Sequence, residues 1–228
     1  MAEVQLLCGH SEVTLRTWLT RAGVYAAKVH TYFFRHLSLG HLQLDELYTT
    51  LRDKTQDVWI WVAFDPKMKL IPALCLGPRS QDMAYTLIHT VANTLAPGCI
   101  PVCTSDGLKL YFYALTAHFG TWLTDRVSVK PKWQVALELL YGQVRKSYRR
   151  RKLARVERRM QIGQLKDLQA ALQQLGFTGS INTAFVERLN LTLRHAVTAL
   201  TRRSWATAQL IPELEAHLDW WCAYYHFC

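Results

Sequence analysis

Apolar residues recur along this chain at two different periods, and the change between them marks out its parts. The opening is helical: behind the turn Cys8-Gly9-His10-Ser11, with Ser11 as N-cap, Val13, Leu15, Trp18 and Leu19 form a stripe that Gly23 is expected to stop. After a connector from Lys28 to Gly40 the period becomes two. His41 to Tyr48, Val58 to Asp65 and Leu70 to Leu76 read as three antiparallel strands, with Asp65-Pro66-Lys67 as a turn. Asp82 to Leu95 returns to helical spacing through Met83, Leu87, Ile88, Val91 and Leu95, and Pro97-Gly98 breaks it. Ile100 to Cys103 supplies a fourth strand, Gly107 to Phe119 a helix and Arg126 to Val129 a short fifth strand. From Trp133 the reading is mostly helical, interrupted at Gly176-Phe177-Thr178-Gly179-Ser180. The next helix, from about Thr183 to Arg203, has Phe185, Leu189, Leu193 and Val197 on its apolar face. Strands, then helices alternating with strands, make an α/β order.

Length and composition agree with that order. The 228 residues suit one domain of moderate size with an appendage, and 50% of them are hydrophobic, ample for a core. The longest apolar run, Val58 to Phe64, is far short of the roughly 18 residues needed to cross a bilayer. The start Met1-Ala2-Glu3-Val4 lacks the basic region of a signal peptide, so a cytoplasmic location is expected. Six cysteines, at 8, 75, 99, 103, 222 and 228, include no C-x-x-C pair, which favours buried thiols over disulfides or zinc. The aromatic end, Trp220-Trp221-Cys222-Ala223-Tyr224-Tyr225-His226-Phe227-Cys228, is expected to be packed, with a natural C-terminus further on.

Charge changes the picture. The formal net charge is +10 and the pI about 9.5, which points to a polyanionic partner. Eleven basic residues lie between Lys130 and Arg159, against the acids Glu138 and Glu157. On a helix, Arg151, Arg155, Arg158 and Arg159 would form one ridge, joined upstream by Arg149, and the ridge suits phosphates. A solvated charged helix would show the same run. The first helical stripe has a polar counterpart in Thr14, Arg16, Thr17, Thr20 and Arg21, suited to the second helix of a helix-turn-helix. An ordinary amphipathic helix has the same pattern.

Candidate chemistry rests on three carboxylates. Asp45 and Asp106 close strand-like runs and Glu187 sits on a helix; acids at strand ends point out of a sheet edge, where ligand sites of open sheets form. Hard divalent cations fit oxygen-only ligands. Singly, each has a plainer account, since aspartates at strand ends form turns and caps and a helix acid is commonplace. Glu46 alternates to the other face of the strand and is left out of the set, and Asp65 is read as a turn former before Pro66. The nine histidines do not cluster at metal spacing, which disfavours zinc.

The runs Leu44-Asp45-Glu46-Leu47-Tyr48, Trp59-Ile60-Trp61-Val62-Ala63-Phe64-Asp65, Thr104-Ser105-Asp106-Gly107-Leu108-Lys109-Leu110-Tyr111 and Phe185-Val186-Glu187-Arg188-Leu189-Asn190-Leu191-Thr192-Leu193-Arg194, with Tyr224-Tyr225-His226-Phe227, resemble in order the blocks of insertion-sequence transposases with an Asp-Asp-Glu triad, most of all the insertion-sequence-one group. The resemblance implies a partial helix-turn-helix over 1–28 and a ribonuclease H-like mixed sheet flanked by helices over 29–228, with a basic helical insertion at about 133–180. It implies that Asp45, Asp106 and Glu187 are catalytic and ligate two Mg2+ ions, for which Mn2+ can substitute. Such ions, roughly 4 Å apart, activate water or a 3′-hydroxyl and stabilise the leaving oxygen of a phosphodiester.

The implied partner is double-stranded DNA, both element ends and target, met in the bacterial nucleoid by an oligomer of the chain. Arg188, Asn190 and Arg194 flank Glu187 as implied DNA contacts; Lys109, three residues after Asp106, could reach a phosphate or simply face solvent, and Arg194 could be a solvated surface residue. Two rivals remain: a truncated, catalytically inactive DNA-binding copy, and a ribonuclease H-like nuclease that does not transpose.

Overall fold

The computed structural model describes all residues except 1, 52–56, 125–129, 151 and 202–209. The expected strand Arg126 to Val129 and the ridge residue Arg151 therefore lie outside the described residues. The chain forms two compact units, one of residues 1–35, 48–58 and 190–228, the other of residues 36–47 and 59–189.

The second unit holds most of a six-stranded mixed sheet. In chain order its strands are β1 (His41–Thr50), β2 (Asp57–Asp65), β3 (Leu70–Gly77), β4 (Val102–Asp106), β7 (Tyr141–Arg149) and β8 (Lys152–Ile162). A separate two-stranded ribbon pairs β5 (Gly120–Leu123) with β6 (Lys132–Val135). The order across the large sheet is β3-β2-β1-β4-β7-β8. β2 and β3 run antiparallel, β1, β4 and β7 are parallel neighbours, and β8 closes the edge antiparallel to β7.

Helices cover both faces of this sheet, as parallel strands require. Alternation sends Leu42, Leu44, Trp61, Ala63 and Cys103 to one face. There they pack with Leu87, Ile88 and Val91 of α3 (Gln81–Thr94) and with Tyr111 and Leu115 of α4 (Leu110–His118). On the other face Val102 and Val144 meet Leu168 and Leu172 of α5 (Leu165–Gln174). The turn expected at Asp65 forms, its Oδ1 accepting from the amides of Lys67 and Met68 at 2.7 and 2.8 Å.

The basic segment is not helical. It forms the β7–β8 hairpin, so the helical insertion expected at about 133–180 is reduced to α5. A spacing of four places residues on one face of a strand as well as of a helix, so Arg155 and Arg159 fit both periods. What settles the matter is long-range: Tyr141, Gly142, Gln143 and Val144 pair with Cys103 to Asp106, and β8 then pairs back on β7.

In the first unit, α1 (Ala2–Cys8) leads through a turn with Gly9 at φ 67° to α2 (Glu12–Phe33). Ser11 caps α2, its hydroxyl accepting from the Thr14 amide at 3.2 Å. Gly23 does not stop α2; it is buried where the backbone of α7 (Ile211–Phe227) approaches, and a Cβ there would lie 2.3 Å from the carbonyl oxygen of Ala216. The contacts Arg16 to Glu213 and Phe33 to Phe227 show that α2 and α7 run parallel. Among the described residues no helix is long and apolar enough to cross a membrane.

Candidate metal centre

The site is built where β4 ends beside its parallel neighbour β1, which runs on past it. β1 and β4 are in register up to Leu44 opposite Ser105, and the next residues on each are Asp45 and Asp106. Residues opposite one another share a face, so the two aspartates stand abreast on the face away from Leu44 and Leu42.

Gln43, buried two residues before Asp45 on the same face, brings α6 (Ala184–Ala196) to that face. Its Nε2 donates to the carbonyl oxygen of Asn182 at 3.0 Å, and its Oε1 accepts from the Val186 amide at 2.9 Å. That amide belongs to the first turn of a helix, where backbone donors have no partner within the helix. Glu187 follows it directly. Gln43 was not among the expected site residues, although its signal is present in the sequence as a polar residue at an inward position of a largely apolar run.

Among the described residues one group of acids could hold a metal ion: Asp45, Glu46 and Asp106, whose oxygens come within 4.8 Å of one another. Glu46 was expected to be excluded by alternation, and that expectation is corrected. Its side chain does leave toward the opposite face, where Oε2 accepts from the Tyr111 hydroxyl at 3.1 Å and Oε1 accepts from Arg79 Nε at 3.0 Å. But β4 ends at Asp106 while β1 runs on to Thr50, so at Glu46 the strand has outrun its neighbour and the carboxylate meets Asp106 at the open strand end. Arg79, which also stacks over the Trp59 ring at 4.8 Å, was not anticipated; a lone arginine ahead of a helix cap gives no local signal.

Glu187 is not in this group. Its Oε1 accepts from Lys146 Nζ at 2.5 Å and from the Thr183 hydroxyl at 2.6 Å. It is near enough, however, for its charge to help raise the pKa of both Asp45 and Asp106.

Electrostatics mark the site as short of positive charge. Burial pushes Asp45 up to about 7, reinforced by the charges of Asp106 and Glu46 and opposed by the Glu46 amide, which donates to Asp45 Oδ1 at 2.9 Å. Burial likewise raises Glu46, with Asp106 adding and Arg79 opposing, and raises Asp106 against a hydrogen bond from the Leu108 amide. An oxygen-only donor set whose members resist ionisation together is the chemistry a hard divalent cation satisfies. The residues present fit such an ion.

The basic residues fall on an arm beside this centre. β7 pairs with β4 as far as Asp106 opposite Val144, and beyond it residues 145–149 continue with 152–157 as a free-standing two-stranded ribbon. Register divides the ribbon's faces. Arg145, Arg149, Lys152, Arg155 and Arg159 share one, with Glu157 paired to Arg155 at 2.9 Å and to Arg159 at 3.0 Å; Lys146, Tyr148, Leu153, Val156 and Arg158 share the other.

The remaining expected DNA contacts are scattered. Arg149 is exposed, while Arg158 donates through Nε to the carbonyl oxygen of Ile181 at 2.9 Å. Lys109 and Arg188 are exposed, Arg194 donates to the carbonyl oxygen of Tyr48 at 3.4 Å, and Asn190 is buried, which removes it from any DNA-facing row. In the first unit Arg21 is exposed, whereas Arg16 pairs with Glu12 at 2.8 Å and Glu213 at 3.6 Å. Thr17 and Thr20 donate within their own helix.

Fold and site together define an α/β protein with a carboxylate cluster where β4 ends beside β1. No family model matches the chain, and neither does any curated protein or solved structure.

Proposed function

We propose that this chain is a DNA transposase with a ribonuclease H-like core, which binds element ends and carries out metal-dependent strand cleavage and strand transfer. The observation that carries this reading is the pair Asp45 and Asp106 abreast on β1 and β4 where β4 ends, with the Glu187-bearing helix pinned to the same face by Gln43. Support comes also from the sheet, whose parallel strands β4 and β7 follow β1, β2 and β3 in the arrangement the resemblance implies.

Asp45 and Asp106, with Glu187, would hold Mg2+ or Mn2+, two ions being expected, and Glu46 stands beside them. Bound there, such ions would lower the pKa of a hydroxyl nucleophile and stabilise the leaving oxygen of a phosphodiester. The protein's own part is positional. The paired strands β1 and β4 fix the aspartates, Gln43 fixes the first turn of α6, and the cations of the ribbon attract duplex DNA to the same end of the sheet. Two element ends handled together imply an oligomer on DNA.

The test is nicking and end-joining of supercoiled and linear DNA with Mg2+. Asp106→Asn is expected to abolish cutting while leaving salt-sensitive DNA binding largely intact; equal cutting by the variant would remove Asp106 from the mechanism.

Glu46 favours a second reading, a ribonuclease H-like nuclease whose metal rests on Asp45, Glu46 and Asp106 without Glu187. Glu187→Gln separates the two: it should stop both cutting and joining in a transposase but leave nicking in the nuclease. A wild-type chain that binds DNA and never nicks it would be the inactive binding copy.

A further inference from the structure

The first unit leaves an aromatic band uncovered. On α2, Tyr25 and Tyr32 lie one heptad apart and are each 68% exposed, with Phe33 beside them at 59%. On α7, Trp220, Tyr224 and Phe227 recur at helical spacing and are 46, 59 and 52% exposed. The two stripes meet at one end, where Phe33, in edge-to-face contact with Tyr32 at 5.1 Å, lies 5.4 Å from Phe227. We infer that two copies of this chain associate through this band, independently of DNA and of the metal centre.

Area argues for a protein partner. With about 200 Å² of surface per aromatic side chain, six rings exposed by half to two thirds present about 700 Å². That exceeds the largest apolar patch of most monomers, about 300–600 Å², and approaches the roughly 800 Å² each partner gives to a standard interface.

Charge argues for a second copy rather than nucleic acid. From Trp220 to Phe227, α7 carries no lysine, arginine, aspartate or glutamate, so the centre of the band has nothing to offer a phosphate. Among the described residues of the band, cations stand over rings on the α2 side, Lys28 over Tyr25 at 5.4 Å and Arg35 over Tyr32 at 5.7 Å. An uncharged centre, with Lys28 and Arg35 at its α2 edge and Glu215 and Asp219 on the preceding turns of α7, suits an isologous interface in which the stripes of one copy lie on those of the other around a two-fold axis. Gly23 makes this face possible. It lets the backbones of α2 and α7 approach closely, which brings Phe33 and Phe227 into contact at the outer edge of the pair.

The experiment is sedimentation equilibrium on the full chain, free of nucleic acid and with EDTA, from about 1 to 50 µM. A concentration-dependent dimer is expected, and Tyr32→Asp with Phe227→Asp should weaken it at least tenfold while leaving the circular dichroism spectrum unchanged. Hydrogen exchange of the wild-type chain at the two ends of that range needs no substitution: amides of residues 25–33 and 220–227 should gain protection at the higher concentration. A wild-type monomer throughout, or a dimer whose protected amides lie elsewhere, overturns the inference.

Discussion

Lys146 on β7 holds Glu187 on α6 at 2.5 Å, so the acid in the first turn of that helix is paired with a lysine of the sheet. Under the proposed function, in which Glu187 helps hold the metal, metal binding and ion pairing compete for one carboxylate. Both side chains are partly exposed, so the pair is worth only about 0.5–1 kcal/mol. Lys146→Met is therefore expected to tighten Mn2+ binding about three- to fivefold in calorimetric titration. Weaker binding by the variant would mean that Lys146 helps assemble the site.

The raised carboxylates set a pH dependence of definite sign. Asp45 stands at about 7 in the folded chain, against roughly 3.9 for a free aspartate. Between those values the folded chain keeps a proton that the unfolded chain has released, so stability falls as pH rises from about 4 to 7. Asp106 and Glu46 are shifted in the same direction. The metal-free chain should melt several degrees lower at pH 8 than at pH 5. Millimolar Mg2+ should restore stability at pH 8 and do little at pH 5, where the proton competes for Asp45. Asp45→Asn should flatten the profile; a flat profile in the wild-type chain would rule out a protonated carboxylate.

Gly23→Ala tests the close passage of α2 and α7. Alanine favours an isolated helix by up to about 1 kcal/mol, yet here its Cβ would meet backbone atoms of Ala216 at 2.3 and 2.5 Å. Backbone cannot swing aside as a flexible side chain does, and overpacking costs about 1–3 kcal/mol. Net destabilisation of about 1–2 kcal/mol is expected in urea denaturation. A stabilised variant would contradict the packing.

The ribbon makes a separable prediction. Replacing Arg149 and Arg155 by alanine should weaken DNA binding about equally on all sequences and reduce the slope of log affinity against log salt by about 2. Mn2+ affinity should stay unchanged, since both residues lie on the face of the ribbon opposite Lys146 and Glu187. An unchanged salt slope would take these arginines out of the interface.

Local pattern determined much of this protein. Alternation of apolar residues located β1, β2 and β3 to within two residues at each end, and the 3.6-residue period located α3, because both elements bury one face of a regular structure. Asp45 and Asp106 were legible because each follows an apolar strand-like run, although only Asp106 closes its strand and Asp45 lies within β1. Where information was local it was also misleading: charges spaced by four fit two periods, and only pairing with β4 made the basic segment a ribbon. A glycine that ends helices in isolation is, in α2, the point where α7 crosses.

The composition of the site lay beyond any local rule. That Glu46 joins the aspartates depends on β1 outrunning β4, and that Arg79 and Tyr111 restrain it depends on elements distant in sequence. That Glu187 answers to Lys146 depends on β7 lying next to β4. Sequence periodicity specifies which face each residue turns inward; which residues of different elements then meet is decided by strand order and strand length, properties of the whole sheet.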